Sequence, residues 1–139
     1  MKVLLPVDGS DNALRAAEYL AEWMQRDGTI HTTLISVANI GRQYLEMLGR
    51  EEEYLNIVSR EVQPLLDAAV KKFSKLGLEV ATRVGDGNPA EVIASVARDE
   101  NYDHIVMGRR GLGALEGMFL GSVSQKVLHL VDCPVTLIK

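Results

Sequence analysis

The chain reads as one α/β domain over residues 1–139: a doubly wound, five-stranded parallel sheet with strand order 3-2-1-4-5 and helices on both faces. Three observations predict it. Strand-like apolar runs alternate with helix-period stripes from end to end. Five strands separated by helical crossovers imply a parallel sheet covered on both faces. In the order 3-2-1-4-5 the first and fourth strands flank the crevice where the strand order reverses, and Asp8 and Gly108 follow those two strands.

Val3-Leu4-Leu5-Pro6-Val7 is the first strand, ended by Asp8-Gly9-Ser10. Leu14, Ala17, Leu20, Ala21 and Met24 stripe the first helix, which closes near Asp27-Gly28. Thr32 to Val37 is β-branched and forms the second strand, and Ala38 to Gly49 reads as loop with a helical turn. Leu55, Val58, Val62, Leu65, Leu66, Ala69 and Phe73 mark a long amphipathic helix that Pro64 is expected to kink or divide. Leu78 to Val84 is the third strand. Asn88-Pro89-Ala90-Glu91 opens the next helix, with Asn88 as cap, Pro89 at the first position and Glu91 closing a capping box, and Ile93, Ala94 and Ala97 carry its buried face. His104-Ile105-Val106-Met107 is the fourth strand. Val123, Val127, Leu128, Leu130 and Val131 recur at helical spacing, and Pro134 to Ile138 is the fifth strand.

An apolar fraction of 47% suits a globular chain long enough to bury a substantial core. A net charge of −4 argues against a general nucleic-acid binder. The single cysteine, Cys133, rules out an internal disulfide framework and reads as a buried structural residue. His31, His104 and His129 lie on separate elements without metal-ligand spacing. No apolar run approaches the roughly 18 residues of a membrane span, and Met1-Lys2 runs straight into a strand without a signal pattern. A cytoplasmic location is the expectation, with no membrane or nucleic-acid partner.

The most informative stretch is Met107-Gly108-Arg109-Arg110-Gly111, followed by nine residues and then Gly121-Ser122-Val123-Ser124. Glycines stand where the fourth strand hands over to a loop and again where that loop enters a helix. Backbone amides there can approach a polyanion, with the positive end of a helix dipole behind them, and Ser122 and Ser124 can add hydroxyl donors. The reading is a phosphate cradle for a nucleotide. Val135 to Ile138 forms an apolar sheet edge that invites antiparallel pairing into a twofold homodimer.

The spacing Gly108-x2-Gly111-x9-Gly121-Ser122, with Val7-Asp8-Gly9-Ser10 after the first strand, resembles the ATP-binding branch of the universal stress protein family. The resemblance covers the whole chain and includes the Gly85-x-Gly87-Asn88-Pro89 turn and the closing Cys133-Pro134-Val135. It implies the same five-stranded fold, usually as a homodimer, and a set of roles. Asp8 accepts from the ribose hydroxyls, and Pro6 and Val7 line the adjacent wall. Val37 meets adenine through its main chain, Met107 packs near the base, and Gly108 lies against the ribose. Gly111 turns the loop over the phosphates. Gly121, Ser122, Val123 and Ser124 face the phosphates. One of Arg109 and Arg110 adds positive charge, with Arg109 taken as the site residue. The implied cofactor is ATP, ADP or AMP, with Mg²⁺ held by phosphates and water rather than by a carboxylate cluster.

Three other nucleotide or phosphate patterns fail. Gly85-Asp86-Gly87-Asn88-Pro89-Ala90 matches a dinucleotide fingerprint, but Asp103 precedes the next strand instead of following it, so the turn reads as structural. A P-loop lacks its lysine at Gly121-Ser122. A phosphoacceptor receiver lacks the acidic pair after the first strand and a helix after the fifth. The expected function is a nucleotide-dependent regulator or switch in stress response, acting on a client protein. Nucleotide orders the loop Arg109–Leu120, and hydrolysis is slow at most. A genuine ATPase or autophosphorylating phosphotransferase, and a nucleotide-free dimeric interaction module, are the alternatives.

Overall fold

The computed structural model describes the main chain of residues 1–139 and every side chain except those of Arg42, Leu45 and Leu48. Five strands, β1 (Lys2–Pro6), β2 (His31–Ala38), β3 (Ala81–Asp86), β4 (His104–Gly108) and β5 (Val135–Ile138), form one sheet in the order β3-β2-β1-β4-β5. Every pairing is parallel. The helices are α1 (Asp11–Arg26), the short α2 (Arg42–Leu48), α3 (Glu51–Ser74), α4 (Pro89–Asp99) and α5 (Ser122–Leu130). The architecture and strand order are those expected from the sequence. No described helix is long and apolar enough to cross a membrane.

Strand alternation explains how one sheet serves two cores. Val3 and Leu5 of β1, Leu34 of β2 and Val106 of β4 face α1 and α3, where Leu20, Leu66 and Phe73 are fully buried. Leu4, Ile35, Ile105 and Met107 face the other way, onto Ile93 and Ala97 of α4 and Val127 of α5. Removing each such side chain from water stabilises the fold by about 1.5–3 kcal/mol, so β1, buried on both faces, anchors both layers. Its central place follows, with β2 on one side and β4 on the other.

Helix starts follow their sequence signals. Ser10 caps α1 by accepting from the Ala13 amide at 3.2 Å, and Asn88 caps α4 by accepting from the Glu91 amide at 3.2 Å, with Pro89 in the first turn. The capping box is not closed, however. The Glu91 carboxylate pairs instead with Lys126 of α5 at 2.9 Å, because a full charge within reach outcompetes a neutral amide.

Other expectations shift. α3 runs unbroken from Glu51 to Ser74 through Pro64. Pro64 and Arg60, whose carbonyl loses its helical donor, both lie on the exposed face, where water replaces the missing bond. Leu55 is 56% exposed and lies off the buried stripe, which begins at Val58. β3 begins at Ala81, not Leu78. Leu78 and Val80 pack against the α1–α3 core without joining the ladder, so their apolar character records burial rather than strand pairing. Of the apolar positions on α5, Val127 is buried and Leu128 and Leu130 are exposed.

Pro64→Ala restores one backbone bond to a helix that already continues through this position. The expected outcome is a gain of about 1–3 kcal/mol in unfolding free energy, reduced by the unfolded-state entropy that proline removes. Urea titration of both proteins checks it, and a loss of stability would show that α3 needs the proline.

Candidate functional site

A cleft opens at the carboxyl ends of β1 and β4. That is the topological switch point of the sheet. Its walls come from separate elements. Pro6, Val7 and Asp8 leave β1, Ile35 and Val37 end β2, and Met107 and Gly108 end β4. The first turns of α1, α4 and α5 contribute Ser10 and Ala13, Pro89 and Ile93, and Val123 and Ser124, while Arg110 and Gly111 come from the loop after β4. Three helix N-termini, each a positive dipole end, therefore converge on one space. Among the described lining residues Asp8 is the one acid and Arg110 the one base.

The end of β4 is built by close backbone approach. A Cβ on Gly108 would stand 2.8 Å from the Asn12 Cβ and 2.9 Å from the Asn12 carbonyl carbon. One on Gly111 would stand 2.5 Å from Asp8 Oδ2, and one on Gly121 would stand 3.1 Å from the Arg110 Cα. The Gly121 amide donates to the Arg109 carbonyl at 2.7 Å, closing the loop of residues 110–120 at its base. Side chains at these positions would push apart the elements that form the cleft.

α5 begins without a side-chain cap, since Gly121 has none to offer. Its first described intrahelical bond runs from the Gln125 amide to the Gly121 carbonyl at 3.0 Å, so the amides of Ser122, Val123 and Ser124 precede the ladder. The neighbouring α1 and α4 are capped by Ser10 and Asn88. Val37 supplies a second open edge. The Ile35 carbonyl accepts from the Val7 amide at 2.8 Å, where β1 leaves the sheet. Val37 lies two residues further along β2, so its own N–H and C=O point to the same side, into the space β1 has vacated.

The predicted site residues thus fall into three groups. Pro6, Val7, Asp8, Val37, Met107, Gly108, Gly111, Val123 and Ser124 line the cleft. Gly121 and Ser122 stand at the helix start, Gly121 buried beneath the loop and Ser122 exposed. Arg109 faces away from the cleft lining. Its Nη1 donates to the Phe119 carbonyl at 3.2 Å and its guanidinium lies 5.5 Å from the Phe119 ring. Arg110, its neighbour, is the arginine that lines the cleft. Adjacent residues leaving a strand point in opposite directions, and the sequence does not reveal which one turns inward.

Two polar side chains make contacts that the sequence does not reveal. The buried Ser124 hydroxyl donates to the Gly108 carbonyl at 2.9 Å, because a hydroxyl cut off from water must place its proton on a protein acceptor. It pins α5 to the end of β4 and leaves its oxygen only as an acceptor. Asp8 Oδ1 accepts from the Ser10 amide at 2.9 Å, a local turn that fixes the carboxylate with Oδ2 over Gly111.

Beside Val37, Asp86 ends β3 and ties down the chain that follows β2. Its carboxylate accepts from the Ile40 amide at 2.9 Å, the Gly41 amide at 3.4 Å and the Tyr54 hydroxyl. Partial burial pushes Asp86 up, but these donors outweigh it and hold the carboxyl below the ordinary carboxylate value. The Gly85–Ala90 turn is accordingly structural, and a Cβ on Gly85 would meet Val92 at 2.8 Å. Among the described residues no group of three or more His, Cys, Asp or Glu side chains is placed to hold a metal.

The sequence profile of the universal stress protein family matches residues 1–139. The chain belongs to the universal stress protein family. Universal stress protein YxiE of Bacillus subtilis is 32% identical to it over 99% of this chain and 98% of its own length. The solved structure of protein MJ0577 superposes with a TM-score of 0.83 at 28% identity, covering 99% of this chain and 94% of that one. The universal stress protein from Archaeoglobus fulgidus in complex with dAMP superposes with a TM-score of 0.72 at 24% identity, over 100% of this chain and 98% of that one. The cleft and its glycines therefore sit on the fold of this family, at the carboxyl ends of its strands.

Asp86→Asn in this universal stress protein keeps the shape but weakens the charge-assisted bonds. A carboxyl held low contributes stability that is complete above its unfolded value, roughly 3.9, and is lost as pH falls through the folded value. The variant is expected to be less stable at pH 7 by about 1 kcal/mol, a modest figure because the carboxylate is partly exposed. The gap between the two proteins should close below about pH 4. Chemical denaturation across pH checks both.

Proposed function

We propose that this universal stress protein binds an adenine nucleotide, ATP first among them, in the cleft between β1 and β4, and works as a nucleotide-dependent regulator. The observation that carries the reading is the uncapped start of α5. Open amides there face a space where Gly111 and Gly121 leave no side chain in the way. An anionic phosphate group is the natural partner for such amides and for the helix dipole behind them. The dAMP complex of the Archaeoglobus fulgidus relative supports an adenine nucleotide as the ligand class.

The residues present fit that ligand. Amides of Ser122, Val123 and Ser124, with the Ser122 hydroxyl, would hold phosphates. Asp8 Oδ2 is placed to accept from ribose hydroxyls. The Val37 N–H and C=O offer an edge to adenine, and the apolar Pro6, Val7 and Met107 side chains pack around base and sugar. Mg²⁺ would be held by phosphates and water, which suits an ion that keeps much of its hydration. The bound nucleotide supplies the negative charge that these donors await.

Phosphoryl transfer requires a positioned nucleophile and stabilisation of the moving group. Asp8, the one acid of the lining, is committed to the Ser10 turn and lies at the ribose end of this reading. The protein is a binder with slow turnover at most. Nucleotide occupancy changes the loop of residues 112–120 and with it a surface that faces a client protein.

β5 is the second working surface. The carbonyl of Pro134, just before β5, accepts from the Ile105 amide of β4, and that of Ile138 accepts from the Arg109 amide just after β4, so the main-chain groups of Val135 and Leu137 point outward from the sheet edge. Antiparallel pairing of two such edges gives a twofold homodimer.

Titration with ATP and Mg²⁺ is expected to raise the melting temperature of nucleotide-stripped protein, with affinity measured by calorimetry. Gly121→Val should abolish the shift while the circular dichroism spectrum persists. An unmoved melting temperature at saturating nucleotide rejects the reading. Sedimentation velocity is expected to show a dimer that Leu137→Pro, which removes an outward N–H, converts to monomer. A wild-type monomer at high concentration rejects the edge pairing.

A further inference from the structure

Arg110 and the loop it holds are not accounted for by binding alone. Arg110 is among the residues that line the cleft, yet its Nη1 donates to the Met118 carbonyl at 3.3 Å, on the far side of the loop. Arg109 makes the parallel bond to the Phe119 carbonyl at 3.2 Å. The other described bonds within residues 111–120 are the turn contacts from the Ala114 amide to the Gly111 carbonyl at 3.3 Å and from the Met118 amide to the Leu115 carbonyl at 3.2 Å. The loop exposes Leu112, Leu115 and Phe119 at 73%, 72% and 77%, so apolar packing contributes little to holding it down. Its conformation depends on two arginine-to-carbonyl ties, and one of them belongs to the one cationic residue among the described residues that line the cleft.

We propose that Arg110 is the residue through which phosphate occupancy of the cleft is communicated to the loop. The inference rests on the nucleotide reading above and adds a direction and an agent to it. A guanidinium and a phosphate pair two opposite full charges and can do so through two parallel bonds, whereas the bond to the neutral Met118 carbonyl is single and long. A phosphate at the start of α5 therefore draws Arg110 from the Met118 carbonyl. The carbonyl loses its donor, and the segment around Met118 to Leu120 is left with the Arg109 tie. Phosphate binding thus loosens the loop instead of ordering it, and frees the chain that carries Leu112, Leu115 and Phe119. A nucleoside without phosphate occupies the base and ribose positions and leaves Arg110 where it is.

Hydrogen–deuterium exchange of the intact protein, alone, with adenosine, and with ATP and Mg²⁺, tests this alongside calorimetry. In the wild type, ATP is expected to raise exchange in the peptide spanning residues 112–120, and adenosine is expected to leave it unchanged. Arg110→Ala should show the raised exchange already without ligand and no further response to ATP. Its ATP affinity should fall on the order of 10- to 100-fold, the range for a lost hydrogen bond to a charged group, with adenosine affinity held within about twofold. Unchanged exchange across the rest of Arg110→Ala establishes that the variant is folded, and Arg110→Gln, which retains a donor, serves if it is not. ATP binding with loop exchange unchanged or lowered overturns the Arg110 proposal and leaves the nucleotide reading standing. Absence of ATP binding to the wild type overturns both.

Discussion

Three close contacts at the end of β4 are the constraint on which the cleft depends. Gly108 lies against the backbone of the first turn of α1, Gly111 against the Asp8 carboxylate, and Gly121 against the Arg109–Arg110 backbone. A methyl group on Gly108 would collide with α1, one on Gly111 would displace the Asp8 carboxylate, and one on Gly121 would press on the loop base. Overpacking a well-fitted site by one methylene group typically costs about 1–3 kcal/mol, which applies most directly at Gly108. The Gly121–Arg109 bond and the Ser124–Gly108 bond then fix the loop base and the start of α5 to the strand. Glycine spacing here reflects where three elements must touch, and the open amides of α5 are a consequence of that contact.

The sheet order determines what faces the resulting space. β1 turns off into α1, which packs with the α3 face, while the chain after β4 runs towards α5 on the opposite face. Their divergence leaves the cleft, and it strips Val37 of a strand neighbour at the point where the apolar floor of Ile35 and Met107 ends. One topological feature therefore yields an apolar wall, an unpaired strand edge and a convergence of helix starts. Asp86, by tying the chain after β2 to the end of β3, holds that edge from the other side.

Most of the fold was legible because it is encoded in periodicity, which is local. The stripe from Val58 to Phe73 and the apolar run at Ile105 to Met107 each report the face they bury. Turn chemistry was legible for the same reason, as with Ser10 and Asn88. What the pattern could not resolve was the choice of partner across the fold. Glu91 looked like half of a capping box until Lys126 stood within reach. Leu78 and Val80 looked like strand because burial against α3 and pairing in a ladder demand the same residue types. Pro64 looked like a break because its exposure, which makes the lost bond tolerable, is a tertiary fact. At the cleft, glycine spacing pointed to backbone that the structure brings against it. The roles of Ser124 and of the two arginines depend on which carbonyls happen to be nearest, and no spacing rule encodes that.

The chemistry of the cleft favours recognition over turnover. Backbone amides cannot gain or lose a proton at neutral pH, and helix dipoles are fixed in place. Such groups stabilise an anion that arrives and do nothing to activate water against it. The titratable side chains that line the cleft are an acid turned onto a neighbouring amide and an arginine turned onto a loop carbonyl. Neither is oriented as a general base. In the proposed role, such a site would convert occupancy into a rearrangement of hydrogen bonds. The rearrangement has somewhere to go because the loop of residues 112–120 is joined to the body through few bonds and little buried apolar surface, which places it at the low-stability end of the structure. In the proposed role, this lightly held loop is joined through Arg110 to the cleft itself, and that connection is what would let occupancy be read at the surface.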